Sequence, residues 1–275
     1  MSHLVLRLSL SLCALLLALW MAARTPAAAQ QRVDLELVLA VDISLSMDMD
    51  ELRVQRGGYV AAFRDAEIQK VIVAGPSRRI AVTYFEWAGR SVQKLIAPWT
   101  VIDSAGAANA FAAVLESAPI SRERMTSISG AMDYAGQLFE QSPYTGIRRV
   151  LDISGDGPNN NGRPIVKARD DLLAKGIGIN GLPLVLKLGS SVFDIPNLDI
   201  YYADCVIGGP AAFSIPVKSE AEFVPTIRRK LLLEIAAAPP ARLMRTQMTP
   251  APEPRIDCMI GEQLWRRYMD GRFPN

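Results

Sequence analysis

Residues 35–51 read LELVLAVDISLSMDMDE, and this stretch predicts the fold of the whole chain. Its first part, Leu35–Val41, is apolar apart from Glu36, which is typical of a strand buried on both faces of a parallel sheet. A helical pattern of apolar residues follows from Asp50 to Arg64. A buried strand that leads through a short polar loop into a helix is the building unit of sheets covered by helices on both faces.

Outward from this unit, strands and helices continue to alternate along the chain. Strand patterns at Arg79–Trp87 and Ser91–Ala97 surround the tripeptide Ala88-Gly89-Arg90 and predict an antiparallel hairpin at the edge of the sheet. Further helices are predicted at 105–117, 127–141, 164–175 and 220–237, and further strands at 148–153, 177–185 and 212–217. This order predicts an α/β fold with three α/β/α layers, in which a doubly wound, mostly parallel sheet carries one antiparallel edge strand.

Residues 1–29 have the composition of a secretory signal peptide. Arg7 stands near the start, an apolar run extends over residues 8–23, and the small residues Ala27–Ala29 form a cleavage pattern. The run is shorter than the roughly 20 residues that a membrane-spanning helix needs. We therefore expect cleavage, no membrane span in the mature chain, and a periplasmic or secreted protein. The alternative, an uncleaved anchor, would also hold the domain outside the cytoplasm.

The charge balance and the histidine content exclude several classes of protein. The whole chain has 30 basic and 28 acidic residues, and removal of residues 1–29 takes away Arg7 and Arg24 and leaves 28 of each. Nucleic-acid-binding proteins carry a clear basic excess, so we expect no nucleic-acid partner. The single histidine, His3, is lost with the signal peptide. This excludes a Ser-His-Asp triad, a Cys-His pair and a histidine-ligated zinc site from the mature chain.

The mature chain is predicted to consist of one domain and a tail. Residues 30–238 hold the alternating strands and helices, whereas residues 239–275 begin with prolines that predict an extended linker and end in a short helical segment. Cys205 and Cys258 can pair in an oxidising compartment, which would tie this tail to the domain and contribute about 4 kcal/mol in the chain-entropy model. The alternative, a reactive thiol pair, lacks the C-x-x-C spacing of redox sites.

Three oxygen-bearing side chains follow the first strand, namely Asp42, Ser44 and Ser46. Because they alternate with apolar residues, the three side chains are expected to point to the same side, with Ile43 and Leu45 turned inward. Ligands of open α/β sheets collect at the carboxyl ends of the strands, and one carboxylate with two hydroxyls suits a hard cation such as Mg²⁺, Mn²⁺ or Ca²⁺. The alternative is a plain capping turn, in which Ser46 or a nearby acid binds the free N–H groups of the next helix.

Two further residues extend this pattern in later loops. Thr126 precedes a predicted helix, and Asp156 follows a buried strand within SGDGPNNNG, residues 154–162. The order D-x-S-x-S, threonine, Asp-Gly resembles the metal-ion-dependent adhesion site (MIDAS) of von Willebrand factor type A (vWA) domains, over roughly residues 33–237. Within this group the chain is similar to a bacterial family of exported proteins of unknown function, on the residues LAVDISLSM (39–47), SGDGPNNNG and YYADCVIGGPAAF (201–213).

The resemblance implies a metal site, a cofactor and a class of partner. Its ligands would be the hydroxyls of Ser44, Ser46 and Thr126, direct or through water, together with the negative charges of Asp42 and Asp156. The cofactor would be a divalent cation, with Mg²⁺ the first choice and Mn²⁺ or Ca²⁺ the alternatives. A coordination position would remain for a carboxylate of a partner protein.

The resemblance therefore implies an exported, metal-dependent protein-binding module of the adhesion or scaffold type that catalyses no reaction. The chain departs from the familiar pattern at Arg124-Met125, where a glycine pair is common, and at Ser154-Gly155, where a threonine is common. These departures favour one alternative, a metal-independent periplasmic accessory protein with a vestigial metal loop. A phosphatase-like hydrolase ranks behind it, because that chemistry needs a second acid where Ser44 stands.

Three neighbouring groups of residues each have two interpretations. The acids Asp48, Asp50 and Glu51 form either a second cation site or a first helical turn that complements the helix dipole. Asn159–Asn161 either orient a ligand or are turn residues that tolerate left-handed backbone. Glu86–Trp87 either contact a partner or pack on an edge strand of the sheet.

Overall fold

Five strands form one sheet in the computed structural model of the chain, which describes residues 30–186, 193–236 and 255–272. They are β1 (Gln31–Asp42), β2 (Ile80–Trp87), β3 (Gln93–Ile102), β4 (Tyr144–Gly155) and β5 (Gly178–Pro183). The sheet belongs to one compact unit, Arg32–Asn275, except for Gln31, the first residue of β1. The predicted signal peptide and residues 239–254 of the predicted linker lie outside the described residues.

The strand order β3-β2-β1-β4-β5 places β1 at the centre of the sheet. β1 pairs with β2 in parallel and β4 pairs with β5 in parallel, whereas β2 and β3 form an antiparallel hairpin at the edge. The predicted α/β sheet with one antiparallel edge strand is therefore confirmed. Because β2 and β4 lie on opposite sides of β1, the strand order reverses between β1 and β4, and such a switch point is where open α/β sheets bind ligands.

Helices cover both faces of this sheet. In chain order they are α1 (Met49–Arg64), α2 (Ala66–Ile72), α3 (Ala105–Ser117), α4 (Ile128–Glu140), α5 (Ile165–Ala174), α6 (Leu198–Tyr201), α7 (Phe223–Ala236) and α8 (Ile260–Met269). Successive side chains of β1 point to opposite faces, so Leu37 and Leu39 pack with α1, α3 and α7, while Val38 and Ala40 pack with α4 and α5. In the described ranges, none of the helices has the length and apolarity needed to cross a membrane.

Helix α1 begins at an acidic capping box. The Asp48 side chain accepts hydrogen bonds from the backbone N–H groups of Asp50 and Glu51, and the Glu51 carboxylate accepts one from the Asp48 N–H. These bonds satisfy N–H groups that have no partner within the helix, and negative charge is favourable at this end of a helix. The structure therefore supports the helix-start interpretation of these three acids.

The structure differs from the sequence-based prediction in three segments. Helix α2, which Asp65 caps, and helix α6 with the π-helical turn Tyr202–Val206 are both absent from the prediction. The predicted strand 212–217 is not regular, because it forms only two isolated parallel bridges, from Ser214 to Gly181 of β5 and from Val217 to Leu184 just after β5. Pro216 lies between them and has no N–H group to donate to a strand ladder.

A cluster of charged side chains lies inside the core between β4 and α7. The ammonium nitrogen of Lys230 is 2.5 Å from Asp152 Oδ1 and also forms an ion pair with Glu234, and all three side chains are buried. Asn180 Nδ2 donates a hydrogen bond of 3.0 Å to Glu234 Oε1. Burial, and then the Asp152 charge, raise the pKa of Glu234 to about 7. Two carboxyls thus share one ammonium group without contact with water.

We expect the Glu234→Gln variant to lose part of the pH dependence of folding stability. A carboxyl whose pKa is raised in the folded state stabilises the fold below its unfolded pKa, and this contribution is lost as the pH rises through the folded value of about 7. Between pH 6 and pH 8 the wild type should lose about 1 kcal/mol relative to the variant. Urea unfolding of both proteins across this range measures the difference. Parallel pH profiles for the two proteins would contradict it.

Candidate metal centre

The loop after β1 brings its three predicted ligands together at the centre of the sheet edge. The Ser44 N–H donates to Asp42 Oδ1 over 2.7 Å, which turns the loop back toward the end of the strand. The Ser44 and Ser46 hydroxyl oxygens lie 2.9 Å apart. Asp42 and Ser44 are buried, whereas Leu45 is 46% exposed. The prediction that Leu45 turns inward is therefore wrong, because the loop has left the pleat of the strand.

The loop after β4 adds Asp156 to this group. Ser46 Oγ donates to Asp156 Oδ1 over 2.7 Å, and Ser44 Oγ lies 3.4 Å from the same oxygen. Gly155 makes this approach possible, because a Cβ atom at that position would lie only 2.8 Å from Asp42 Oδ2. One departure from the familiar pattern is Ser154-Gly155, where a threonine is common. The close packing around Asp42 explains why a glycine is needed at position 155.

Thr126 enters from a third loop, which is held on both sides. The Glu123 N–H donates to the Ile43 carbonyl over 2.9 Å, and the Ser127 N–H donates to the Ala88 carbonyl over 2.7 Å. Met125 adopts a left-handed backbone with φ 73°. That conformation favours glycine, so a glycine pair in the familiar pattern would meet the same backbone requirement without strain.

Three consecutive asparagines join the Asp156 loop to the Thr126 loop. Asn160 Oδ1 accepts a hydrogen bond of 2.9 Å from the Thr126 N–H, and the Asn160 N–H donates to the Thr126 carbonyl over 2.8 Å. Asn159 Oδ1 accepts from the Ser129 N–H, and Asn161 Oδ1 accepts from the Arg90 N–H. Asn160 thus holds Thr126 directly, while Asn159 and Asn161 hold residues on either side of the site, which neither of the two interpretations from the sequence describes.

Glu86 and Trp87 are buried within the sheet. Arg56 forms an ion pair with Glu86 and donates hydrogen bonds to the Ala118 and Pro119 carbonyls. Trp87 has no exposed surface. The two residues therefore pack inside the protein, as one interpretation predicts, but their strand β2 lies between β1 and β3 and is not the edge strand that this interpretation assumed.

The three loops surround a cavity of about 460 Å³ at the carboxyl edge of the sheet. Its lining includes four of the five predicted ligands, namely Ser44, Ser46, Thr126 and Asp156. The fifth, Asp42, has no exposed surface. The exposed side chain of Arg124 also lines the cavity and adds positive charge to it.

The electrostatics of the centre fit a hard divalent cation. Burial, and then the nearby Asp156 charge, raise the pKa of Asp42 well above its ordinary value, and burial is the main cause that raises the pKa of Asp156 to about 6. Asp42 Oδ2 is buried and accepts no hydrogen bond. In the described parts of the chain, no three His, Cys, Asp or Glu side chains are grouped to hold a metal. A cation here would therefore rely on the hydroxyl oxygens of Ser44, Ser46 and Thr126 as well as on the two carboxylates.

Several residues of the site are absent from the sequence-based prediction. A Cβ atom at Gly155 would lie 2.9 Å from the Tyr202 hydroxyl, which places this buried hydroxyl close to Asp42. Asp194, Phe193, Trp265 and Tyr268 line the cavity. Tyr202 lies in the YYADC segment, which on the sequence alone indicates only the family. The sequence around the other four residues gives no sign of a role, because they reach the cavity from distant parts of the chain.

The predicted disulfide is present and ties the tail to the domain. Cys205 and Cys258 are bonded, with their Cα atoms 5.5 Å apart. Arg255 forms an ion pair of 2.7 Å with Asp204 beside the bridge. Ile260 and Leu264 of α8 pack against the core between the sheet and α4 and α5. Residues 255–264 are therefore part of the folded structure.

We expect loss of the disulfide to release α8 before the rest of the fold. In the double variant Cys205→Ser and Cys258→Ser, amide hydrogens of residues 260–269 should exchange at least about 10-fold faster. The loss in global stability should stay below the about 4 kcal/mol of the chain-entropy model, because the freed tail gains conformational freedom in the folded state as well as in the unfolded state. Hydrogen-exchange mass spectrometry measures both effects, with α4 as the internal control. Equal acceleration in α4 and α8 would contradict a locally tethered tail.

Comparisons with known proteins agree with this fold. The family described as "Protein of unknown function (DUF1194)" matches residues 32–239. Among curated proteins, none matches the chain. Three solved structures illustrate the similarity in fold. A von Willebrand factor type A structure from Catenulispora acidiphila is 11% identical, with a TM-score of 0.53, over 74% of this chain and 43% of that one. The pilus adhesin SpaC from Lactobacillus rhamnosus GG, in its open conformation, is 10% identical, with a TM-score of 0.53, over 74% of this chain and 30% of that one.

The third structure is proximal thread matrix protein 1 from the mussel byssus with a zinc-occupied MIDAS motif. It is 12% identical, with a TM-score of 0.55, over 75% of this chain and 49% of that one. The chain thus spans less than half the length of each of these proteins. At such low identity the likeness establishes the vWA-like fold alone.

Proposed function

The chain belongs to the family described as protein of unknown function (DUF1194), and from this membership and the geometry of the site we propose that it is an exported, divalent-cation-dependent protein-binding module. Five side chains would hold the cation: Asp42, Ser44, Ser46, Thr126 and Asp156. Mg²⁺ is the first choice, since the donors are all hard oxygens, and Mn²⁺ or Ca²⁺ are the alternatives. The bound cation would supply a positive charge that faces the cavity.

One observation carries this proposal above the others. The buried Asp42 Oδ2 accepts no hydrogen bond, although the hydroxyls of Ser44 and Ser46 and the Asp156 carboxylate converge beside it. The Ser44 N–H satisfies only the other oxygen, Oδ1. Burying an ionised carboxylate with one oxygen unsatisfied is costly, and a divalent cation would compensate both carboxylates at once. A loop that served only to cap α1 would not need these groups, because Asp48 and Glu51 already form the capping box.

A carboxylate on a partner protein is the ligand that this arrangement favours. A cation at the base of the cavity and the exposed Arg124 on its lining would both attract an anionic group. The chain has no histidine outside the predicted signal peptide, and Ser44 stands where a phosphatase of this topology needs an acid. Binding without catalysis is therefore the function that the residues support best.

Calorimetric titration of Mg²⁺, Mn²⁺ and Ca²⁺ into the protein without its predicted signal peptide tests the metal centre. We expect saturable binding by the wild type. The Asp156→Ala variant should lose more than the roughly 10- to 100-fold in affinity that is typical for loss of an outer-shell partner, because it removes a candidate ligand. The matched control is Asp103→Ala, since Asp103 is exposed and outside the cavity lining. If the wild type binds none of the three ions, the proposal fails, and a metal-independent accessory protein becomes the better description.

A further inference from the structure

Three aromatic side chains form one wall of the cavity beside the metal centre. Phe193 lies with its ring centroid 5.6 Å from that of Trp265 and 5.3 Å from that of Tyr268, and the centroids of Trp265 and Tyr268 are 5.7 Å apart. All three line the same cavity as Ser46 and Asp156. Tyr268 is 51% exposed. An apolar surface of this kind, open to solvent next to a polar centre, is typical of a binding site.

The helix that carries two of these rings is held directly against the loop that carries Asp156. Asn159 Nδ2 donates a hydrogen bond of 2.7 Å to Glu262 Oε1. A Cβ atom at Gly261 would lie 2.1 Å from the Asn159 carbonyl oxygen, so the backbone of α8 approaches this loop as closely as only glycine allows. The disulfide at Cys258 adds a covalent tie two residues before α8. The aromatic wall is therefore preorganised, which lowers the entropy cost of binding against it.

The charges around the wall disfavour a basic ligand. Arg266 and Arg267 are exposed on α8, and Arg124 is exposed on the lining of the cavity. Asp156 and Asp194 also line the cavity and oppose this trend. Arg266 and Arg267 lie outside its lining, so the positive charge depends on a divalent cation at the metal centre that offsets the two acids. An acidic segment with an apolar side chain therefore complements both the charge and the surface of the cavity.

On the basis of the proposed function, we propose that the wall of Phe193, Trp265 and Tyr268 is a specificity subsite. It would take a large apolar side chain, aromatic or aliphatic, that stands within two residues of the carboxylate that approaches the cation. Aromatic contacts would then add affinity to the electrostatic contact and select among acidic segments. The match to the family ends at residue 239, so this subsite lies partly on a tail outside the matched region.

Synthetic peptides in a Gly-Ser frame test this proposal on the full domain with its tail, in the presence of Mg²⁺. One set carries an aspartate with a phenylalanine one or two residues before or after it. The matched sets replace the phenylalanine by serine or by lysine, or the aspartate by asparagine. We expect the best aspartate–phenylalanine peptide to bind at least about 10-fold more tightly than its serine counterpart.

Three variants locate this advantage on the wall. Trp265→Ala and Tyr268→Ala should each reduce it several-fold, while the calorimetric affinity for Mg²⁺ stays unchanged. The matched control is Met269→Ala, since Met269 lies on the same helix, is 66% exposed and does not line the cavity. This control should retain the full advantage.

The outcomes separate the subsite from the metal centre. If the protein binds Mg²⁺ but the phenylalanine peptides bind no better than the serine peptides, the subsite proposal is overturned and the metal centre stands. A preference for lysine in place of phenylalanine, or an advantage that survives Trp265→Ala and Tyr268→Ala, would overturn it as well. If the protein binds no metal and no peptide, both proposals fail.

Discussion

Replacing Lys230 with alanine is expected to lower the free energy of unfolding by about 3–5 kcal/mol at pH 8. The Lys230 ammonium group lies 2.5 Å from Asp152 and also pairs with Glu234, and none of the three side chains is accessible to water. Its removal leaves two buried carboxyls to face each other without a cation. Urea unfolding monitored by tryptophan fluorescence measures the loss, which should shrink at pH 5, where the carboxyls can take up protons.

Two comparisons make this result specific to the buried cluster. Lys218→Ala removes an exposed lysine and should change the stability by less than about 0.5 kcal/mol. The triple variant Lys230→Met, Asp152→Asn and Glu234→Gln neutralises the whole cluster and should recover much of the loss. A cost of Lys230→Ala below about 1 kcal/mol would mean that the carboxyls are protonated in the native protein.

Replacing Asp42 with asparagine is expected to have opposite effects on metal binding and on the stability of the metal-free protein. Binding of Mg²⁺ should be lost, because the variant removes one of the two negative charges of the centre. The metal-free variant should be more stable than the wild type at neutral pH by about 1–3 kcal/mol. Burial raises the pKa of Asp42, so this carboxyl lowers the stability of the metal-free fold progressively as the pH rises from its unfolded pKa through its folded pKa.

Thermal unfolding in chelator and in excess Mg²⁺ measures both effects on the same proteins. The wild type should gain stability from Mg²⁺ by mass action, and Asp42→Asn should gain none. Asp103→Asn replaces an exposed acid and should behave as the wild type in both buffers. If Asp42→Asn were less stable than the wild type in chelator, the charge of the Asp42 carboxylate would be stabilised without a metal. The argument from the unsatisfied Asp42 Oδ2 for a cation site would then be wrong.

The two variants probe two separate groups of buried carboxyls, and the chain at the end of β4 contributes one carboxyl to each group. Asp152 lies near the end of β4 and Asp156 directly follows the strand, yet Asp152 pairs with Lys230 inside the core and Asp156 lines the open cavity. The core carboxyls have a cation supplied by the chain itself. The carboxyls of the metal centre do not have an equivalent ion pair among the described contacts, which is why a bound cation would matter there.

The sequence by itself determined the sheet and the place of the site. The run Leu35–Val41 is apolar apart from Glu36, and its apolar side chains point to both faces of the strand. Both faces must therefore be covered, which is the environment of a strand inside a sheet with helices on both sides. Asp42, Ser44 and Ser46 follow that run directly, and the carboxyl ends of neighbouring parallel strands meet at one edge. Local pattern and the resemblance therefore predicted the group that the structure brings together around Asp156.

Only the tertiary structure decided how this group is completed. The asparagine contacts to Thr126, the approach of Tyr202 to Asp42 and the aromatic wall on α8 all join residues that are far apart in the chain. Periodicity records which face of an element is buried, but it does not record which distant segment covers that face. The left-handed backbone of Met125 is likewise imposed by the loops that hold it, because its own residue type disfavours that conformation.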